Sequence, residues 1–163
     1  MLIEKIPEWQ LSTRDDAEIA ALLARCFDTD FGGRSFFSQP HHLRLFHRQG
    51  SIIAHMALLL RSVQLGNRQI TIAGLADVAT HPAHRGQGIA ARLLQAAIAE
   101  AKSSPADYLL LFGTAKLYSS AGFNKIFNHI AKITTPDTPL MMLPLRDVPW
   151  PDTAPLDLNG PAF

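Results

Sequence analysis

The residues whose types and spacing best suit chemistry form one run, Asp77-Val78-Ala79-Thr80-His81-Pro82-Ala83-His84-Arg85-Gly86-Gln87-Gly88-Ile89-Ala90-Ala91. The apolar stretch from Ile70 to Thr80 reads as a strand, and Pro82 ends it because proline has no N–H for a ladder. Beyond Gln87 the period changes. Ala90, Leu93, Leu94, Ala97, Ile98 and Ala101 fall on one stripe of a helix. Two glycines and an arginine lie between strand and helix. A helix start presents main-chain N–H groups without intrahelical partners, together with the positive end of the helix dipole. Glycine lets an anion reach those groups, so the stretch reads as a cradle for a diphosphate.

Composition narrows the setting. A chain of 163 residues predicts a single domain, 1–163, with enough length for a real core. Hydrophobic content of 47% and charged content of 18% describe a folded protein. A formal charge of +1 argues against a polyanion-binding surface, so no nucleic-acid partner is expected. One cysteine excludes an internal disulfide and fits a reducing compartment. Met1 to Gln10 mixes charged and apolar residues unlike a signal peptide, and the run Ile52 to Leu60, interrupted by His55, is too short to span a bilayer. A cytoplasmic protein with no membrane partner is expected. Cys26 lies on an apolar helical stripe and reads as a core thiol. His41, His42 and His47 make no persuasive metal set, because strand neighbours point opposite ways and no carboxylate or cysteine completes them. No metal is expected.

The elements that must position the loop follow from local patterns. Leu2 to Trp9 is a first strand limited by Pro7. Ser12 or Thr13 caps a helix with Asp15 and Asp16 in its first turn, and Ile19, Leu22, Leu23, Cys26 and Phe27 form its buried stripe. Asp28 to Pro40 is either a substrate-facing flap or a connection with aromatic anchors. His42 to Arg48, a turn at Gln49-Gly50, Ser51 to Leu65, a turn at Gly66-Asn67 and Ile70 to Thr80 give successive antiparallel strands. Tyr108 to Phe112 is a buried strand reached by a helical crossover, hence parallel to the Ile70–Thr80 strand. Gly113 to Phe123 reads as a short helix ended by Gly122. Lys125 to Ile133 and Leu140 to Leu145 are expected as the last two strands, with a proline-rich tail wrapped over the surface.

Arg85-Gly86-Gln87-Gly88-Ile89-Ala90 fits the R/Q-x-x-G-x-G/A motif, and Tyr118-Ser119-Ser120-Ala121-Gly122-Phe123 resembles a Y-x-x-x-G-F segment. In this order, both resemble the GNAT superfamily of N-acyltransferases. The resemblance implies an α/β (mixed α+β) GNAT fold: a mostly antiparallel central sheet, one parallel pair splayed at the coenzyme A site, and flanking helices. A narrower resemblance, to nodulation protein A, rests on Ala54-His55-Met56, Leu58-Leu59, Trp150-Pro151 and Asp157-Leu158-Asn159-Gly160-Pro161. That enzyme carries a fatty acyl chain from acyl carrier protein to a chitooligosaccharide amine. The basic loop here departs from it and favours coenzyme A.

The superfamily resemblance implies direct transfer from acetyl-CoA to a small-molecule primary amine. Main-chain amides of Arg85, Gly86, Gln87, Gly88, Ile89 and Ala90 are expected to hold the diphosphate. The backbone of Val78, Ala79 and Thr80 is expected to pair with the pantetheine arm, and one N–H there to polarise the thioester carbonyl. Asp77 is the candidate base, against the alternative of a polar strand-end residue. His55 is the second candidate, against a hydrogen-bonded structural role. Tyr118 is the candidate general acid for the departing thiolate. Competing functions are a non-catalytic coenzyme A-binding module, an acyl-carrier-protein donor with an amino-sugar acceptor, and a dinucleotide oxidoreductase. Gly86-x-Gly88-x-x-Ala91 satisfies the fingerprint of the last, but no acidic residue ends the next strand. A homodimer is the oligomeric alternative to a monomer.

Overall fold

The protein's structure, a computed structural model, describes residues 1–114, 116–131 and 137–163. Among these the strands join into one nine-stranded sheet. Strand β1 (Glu4–Pro7) pairs antiparallel with β2 (Leu43–Gln49), and β2 pairs with β3 (Ser51–Leu65) through a turn at Gly50. Strand β4 (Arg68–Thr80) returns antiparallel after the two-residue turn Gly66-Asn67. Gly50 and Gly66 have φ of +78° and +58°, the left-handed conformation that tight hairpins need.

Helix α1 (Thr13–Cys26) is capped by Ser12, whose hydroxyl accepts from the Asp15 N–H. It buries Ile19, Leu22 and Leu23 against Phe46, Ile52 and Ala79. Helix α2 (Ile89–Ser103) buries Ile89, Leu93, Leu94, Ala97, Ile98 and Ala101, the expected stripe with Ile89 in place of Ala90. It packs on Leu45, Met56, Leu75 and Leu109. Leu45 and Phe46 are strand neighbours and point to opposite faces, so the two helices cover opposite sides of the sheet.

The crossover through α2 delivers β5 (Tyr108–Phe112) parallel to β4, as expected. Their pairing covers only Ile72–Gly74 against Tyr108–Leu110. Past Gly74, β4 has β3 alone as its partner, and a wedge opens between β4 and β5. On its other edge β5 pairs with β8 (Leu140–Pro144). This mostly antiparallel sheet, split at the parallel β4–β5 pair, is the arrangement that the GNAT resemblance implies; a second parallel pairing, of two residues, joins Ile130–Ala131 to Leu156–Asp157. Helix α3 (Lys116–Ser120) follows β5, and Gly122, at φ +96°, turns the chain after it.

Two expectations are corrected. Lys125 to Ile133 is not one strand; Asn124–Lys125 (β6) and Ile130–Ala131 (β7) are separate short pairings, and residues 132–136 lie outside the described ones. The tail does not wrap the surface. Leu156–Asp157 (β9) inserts beside Gln64 and Leu65 of β3 and beside β7, with Leu156 and Leu158 fully buried. Periodicity could not reveal this, because two residues make no pattern. Polar anchors hold the tail: the Asn128 amide donates to Pro151 O and Ala154 O, and Trp150 Nε1–H donates to Asn128 Oδ1 at 2.7 Å.

This placement gives a stability test. Leu156→Ala opens a cavity in a closed core and is expected to cost roughly 2–5 kcal/mol in urea unfolding, whereas a surface leucine costs a few tenths.

Candidate active site

Asp77 sits where β4 breaks register. His55 pairs with Ala79 but Ala57 with Ala76, so β4 carries one residue too many at Asp77-Val78. The bulge puts Asp77 at φ +49°, a left-handed conformation that aspartate tolerates better than most residues. Bulges turn side chains out of their regular alternation, and Asp77 lines a cavity of about 350 Å³ that opens in the wedge between β4 and β5.

Two histidines hold the bulge from behind. His41 Nε2–H donates to Asp77 Oδ2 at 2.7 Å, with side chains only 3% and 7% exposed. The other ring nitrogen of His41, Nδ1, is buried without a partner among the described residues. His55 Nδ1–H donates to the Asp77 carbonyl at 2.8 Å, and its Nε2 faces Arg44 Nη1 at 3.4 Å. Burial, and then the Arg44 charge, push the His55 pKa down to about 3. His55 is therefore neutral and fully buried, with both ring nitrogens engaged. No local signal joins residue 41, in the connection before β2, to residue 77, so the sequence offers His41 only as a metal candidate.

Tyr118 reaches the same cavity from α3, 8% exposed. Its ring lies on the main chain of Gly113, where an added Cβ would stand 2.8 Å from Tyr118 Cε2. Glycine at the end of β5 is thus what lets the phenol seat there. Burial raises the phenol pKa above its usual range.

A second cavity, of about 220 Å³, lies over the loop before α2 and is lined by Thr80, Arg85, Gly86, Gly88, Ile89 and Ala90, among others. Gly86 and Gly88 have φ of +77° and +73°, and a Cβ on either would meet nothing within 4 Å. Open space above both glycines leaves room for an anion. Gly88 is the N-cap of α2 and has no side chain with which to cap the first-turn amides. Arg85 Nε–H donates to Thr80 O at 3.1 Å, which ties the loop to the strand end. Gln87 is exposed, and its neighbours make the cavity wall. Val78 lines the first cavity, Thr80 the second, and between them the Ala79 side chain packs into the α1 core. Likewise Tyr118 lines the first and Leu117 the second. The two cavities are therefore neighbours along both β4 and α3.

A family model described as an acetyltransferase (GNAT) domain matches residues 10–126. The chain belongs to the GNAT acetyltransferase family. Among solved structures it is similar to the GNAT family N-acetyltransferase YhbS from Escherichia coli in complex with CoA, at 20% identity over 96% of this chain and 88% of that one, with a TM-score of 0.68. It is similar to a GNAT family acetyltransferase from Brucella melitensis in complex with acetyl-CoA, at 18% identity over 95% and 94% of the two chains, TM-score 0.63. The ribosomal-protein-S18-alanine N-acetyltransferase from Escherichia coli matches at 20% identity over 91% and 97%, TM-score 0.63. At these identities the likeness is one of fold. No curated protein sequence matches the chain, and the narrower resemblance to nodulation protein A finds no support. Among the described residues no helix is long and apolar enough to cross a membrane.

The depressed pKa of His55 has a consequence for stability. Between the ordinary histidine value of 6.5 and about 3, the unfolded chain binds a proton at this site that the folded chain does not. Stability therefore falls as pH drops through that window, by roughly 1.4 kcal/mol per pH unit. His55→Asn keeps a donor near the Nδ1 position and does not titrate. Urea unfolding of this variant is expected to show a shallower acid loss than the wild type, and equal slopes would contradict a neutral buried His55.

Proposed function

We propose that the chain is an acetyl-CoA-dependent N-acetyltransferase that moves an acetyl group directly to a small-molecule primary amine while donor and acceptor are bound together. The observation that carries this reading is the adjacency of the two cavities: one at the uncapped start of α2, the other holding Asp77 and Tyr118. The residues present fit coenzyme A. The amides from Arg85 to Ala90 surround open space suited to a diphosphate, and the flank of β4 from Val78 to Thr80 lacks a strand partner toward β5. A pantetheine arm can pair there as a further strand would.

The bound thioester supplies an activated acyl carbon. A C–N bond forms as the C–S bond breaks. Asp77 takes the first proton that the acceptor ammonium loses, and Tyr118 gives one to the departing sulfur. The second proton lost from nitrogen as the amide forms returns to the Tyr118 oxygen, directly or through water, and Asp77 releases its proton to solvent, the one proton the reaction sets free. His41 fixes Oδ2 of Asp77 and leaves Oδ1 for the acceptor. His55 supports the bulge through the Asp77 carbonyl and is a positioning residue rather than a base. Tyr118, held above its usual pKa by burial, remains a phenol and a competent donor through mildly alkaline pH.

Thiol release from acetyl-CoA in the presence of primary amines tests this reading, with folding of each variant followed by circular dichroism. Tyr118→Phe and Asp77→Asn are each expected to lower kcat about 100-fold or more while the Kd for acetyl-CoA stays within about threefold. Gly88→Ala, which strains φ and places a methyl where the anion approaches, should raise that Kd about tenfold. The wild-type kcat profile should show no descending limb below about pH 10. A Tyr118→Phe enzyme with near-native kcat, or an unchanged Kd in Gly88→Ala, removes the corresponding assignment.

A further inference from the structure

The cavity around Asp77 also carries information about the acceptor, on the assumption that it is the acceptor site of the transferase proposed above. Its walls are aromatic. Phe27, Phe31 and Phe37 come from the segment after α1, with ring centroids 5.3 Å apart for the first pair and 5.5 Å for the second. Phe112 and Phe163 stand among its other lining residues, 5.8 Å apart at 62°. Among the described residues that line it, Asp77 is the single charged one. Phe37 is 46% exposed, so an aromatic face is held at the surface without being consumed by the core.

We infer that the acceptor is a primary monoamine with an apolar, preferably aromatic, body: an arylalkylamine-type substrate. One ammonium matches the one carboxylate. A second charge on the acceptor would find no further charged side chain among the described lining residues, and a ring of hydroxyls would lose water among phenylalanines with only Thr29, Thr138 and Tyr118 to offer side-chain hydroxyls. A planar apolar body meets ring edges and faces on more than one side. Polyamines, free amino acids and amino sugars are thereby disfavoured.

The test is kcat/KM, by thiol release from acetyl-CoA, for 2-phenylethylamine and hexylamine against spermidine, glycine and glucosamine. The two apolar monoamines are expected to exceed the polar acceptors by about 100-fold. Phe37→Ala, at a half-exposed position, should raise the KM for 2-phenylethylamine about tenfold while the Kd for acetyl-CoA stays within about threefold. A preference of tenfold or more for any polar acceptor overturns the inference. So does faster use of octanoyl-CoA than acetyl-CoA with indifference to the amine body, which would assign the cavity to the acyl chain. If acetyl-CoA binds but no amine is turned over, calorimetry with 2-phenylethylamine and spermidine in the presence of CoA decides, and binding of neither, or of spermidine alone, overturns it. Failure of acetyl-CoA to bind removes the transferase reading instead, which the same titrations separate.

Discussion

A guanidinium taken wholly out of water must be surrounded by acceptors, and Arg44 meets that demand with atoms from separate parts of the chain. Its Nε–H and Nη2–H donate to the two Glu8 carboxylate oxygens at 2.6 and 2.9 Å, and its Nη1–H donates to Ser35 O at 2.7 Å. The remaining neighbours are Ser35 Oγ, 3.3 Å from Nη2, and His55 Nε2. An unpaired charge in this position would cost about 3–5 kcal/mol. The N-terminal segment at Glu8, the connection at Ser35 and strand β3 are therefore drawn to β2. His55 passes the constraint on: an imidazole facing a guanidinium does best as the neutral Nδ1–H tautomer, which then donates to the Asp77 carbonyl. The bulge that turns Asp77 to the cavity is thus tied to a buried charge on the α1 side of the sheet.

The wedge beside the bulge has a separate cause. Parallel pairing ends at Gly74 and Leu110, and Gly74 has no room for a side chain: a Cβ there would lie 2.8 Å from the Phe163 ring and 3.1 Å from Leu59 Cδ1. The tail contributes that ring. Arg61 fixes it by donating to Pro161 O at 2.7 Å and lying over Phe163, 5.2 Å from its centroid. Segments far apart in sequence therefore converge at the fork: Gly74 on β4, Gly113 at the end of β5 seating Tyr118, and the tail filling one wall.

What could be read from the sequence was local. The α2 stripe, the Ser12 cap, both hairpin glycines, Ser51–Leu65 and Tyr108–Phe112 each rest on period or turn chemistry within a few residues, and each appears as expected. The glycine loop was legible for the same reason. Contacts between segments distant in sequence are not legible in this way. The His41–Asp77 bond spans 36 positions, and the Arg44–Glu8 pair also spans 36; neither has a periodic signature. The place of the tail is not legible in the sequence, because Leu156 and Leu158 become core residues only once β3 and β7 offer edges. Composition could not distinguish a solvated proline-rich end from one held by Asn128 and Arg61.

In the transferase proposed above, the aromatic walls and the one charged side chain among the described lining residues act on the acceptor jointly. An ammonium entering the cavity is drawn to Asp77 by charge, and the carboxylate it meets is already oriented, because His41 Nε2–H holds Oδ2 at 2.7 Å and His55 Nδ1–H holds the Asp77 carbonyl at 2.8 Å. An apolar body covers the phenylalanine faces without stranding polar groups of its own, whereas a polar body keeps its water or loses it at a cost. Charge then places the nitrogen and the rings place the body. Both depend on the bulge: in a regular strand the Asp77 side chain would follow the ordinary alternation, and the aromatic cavity would lose its one charged lining residue among those described.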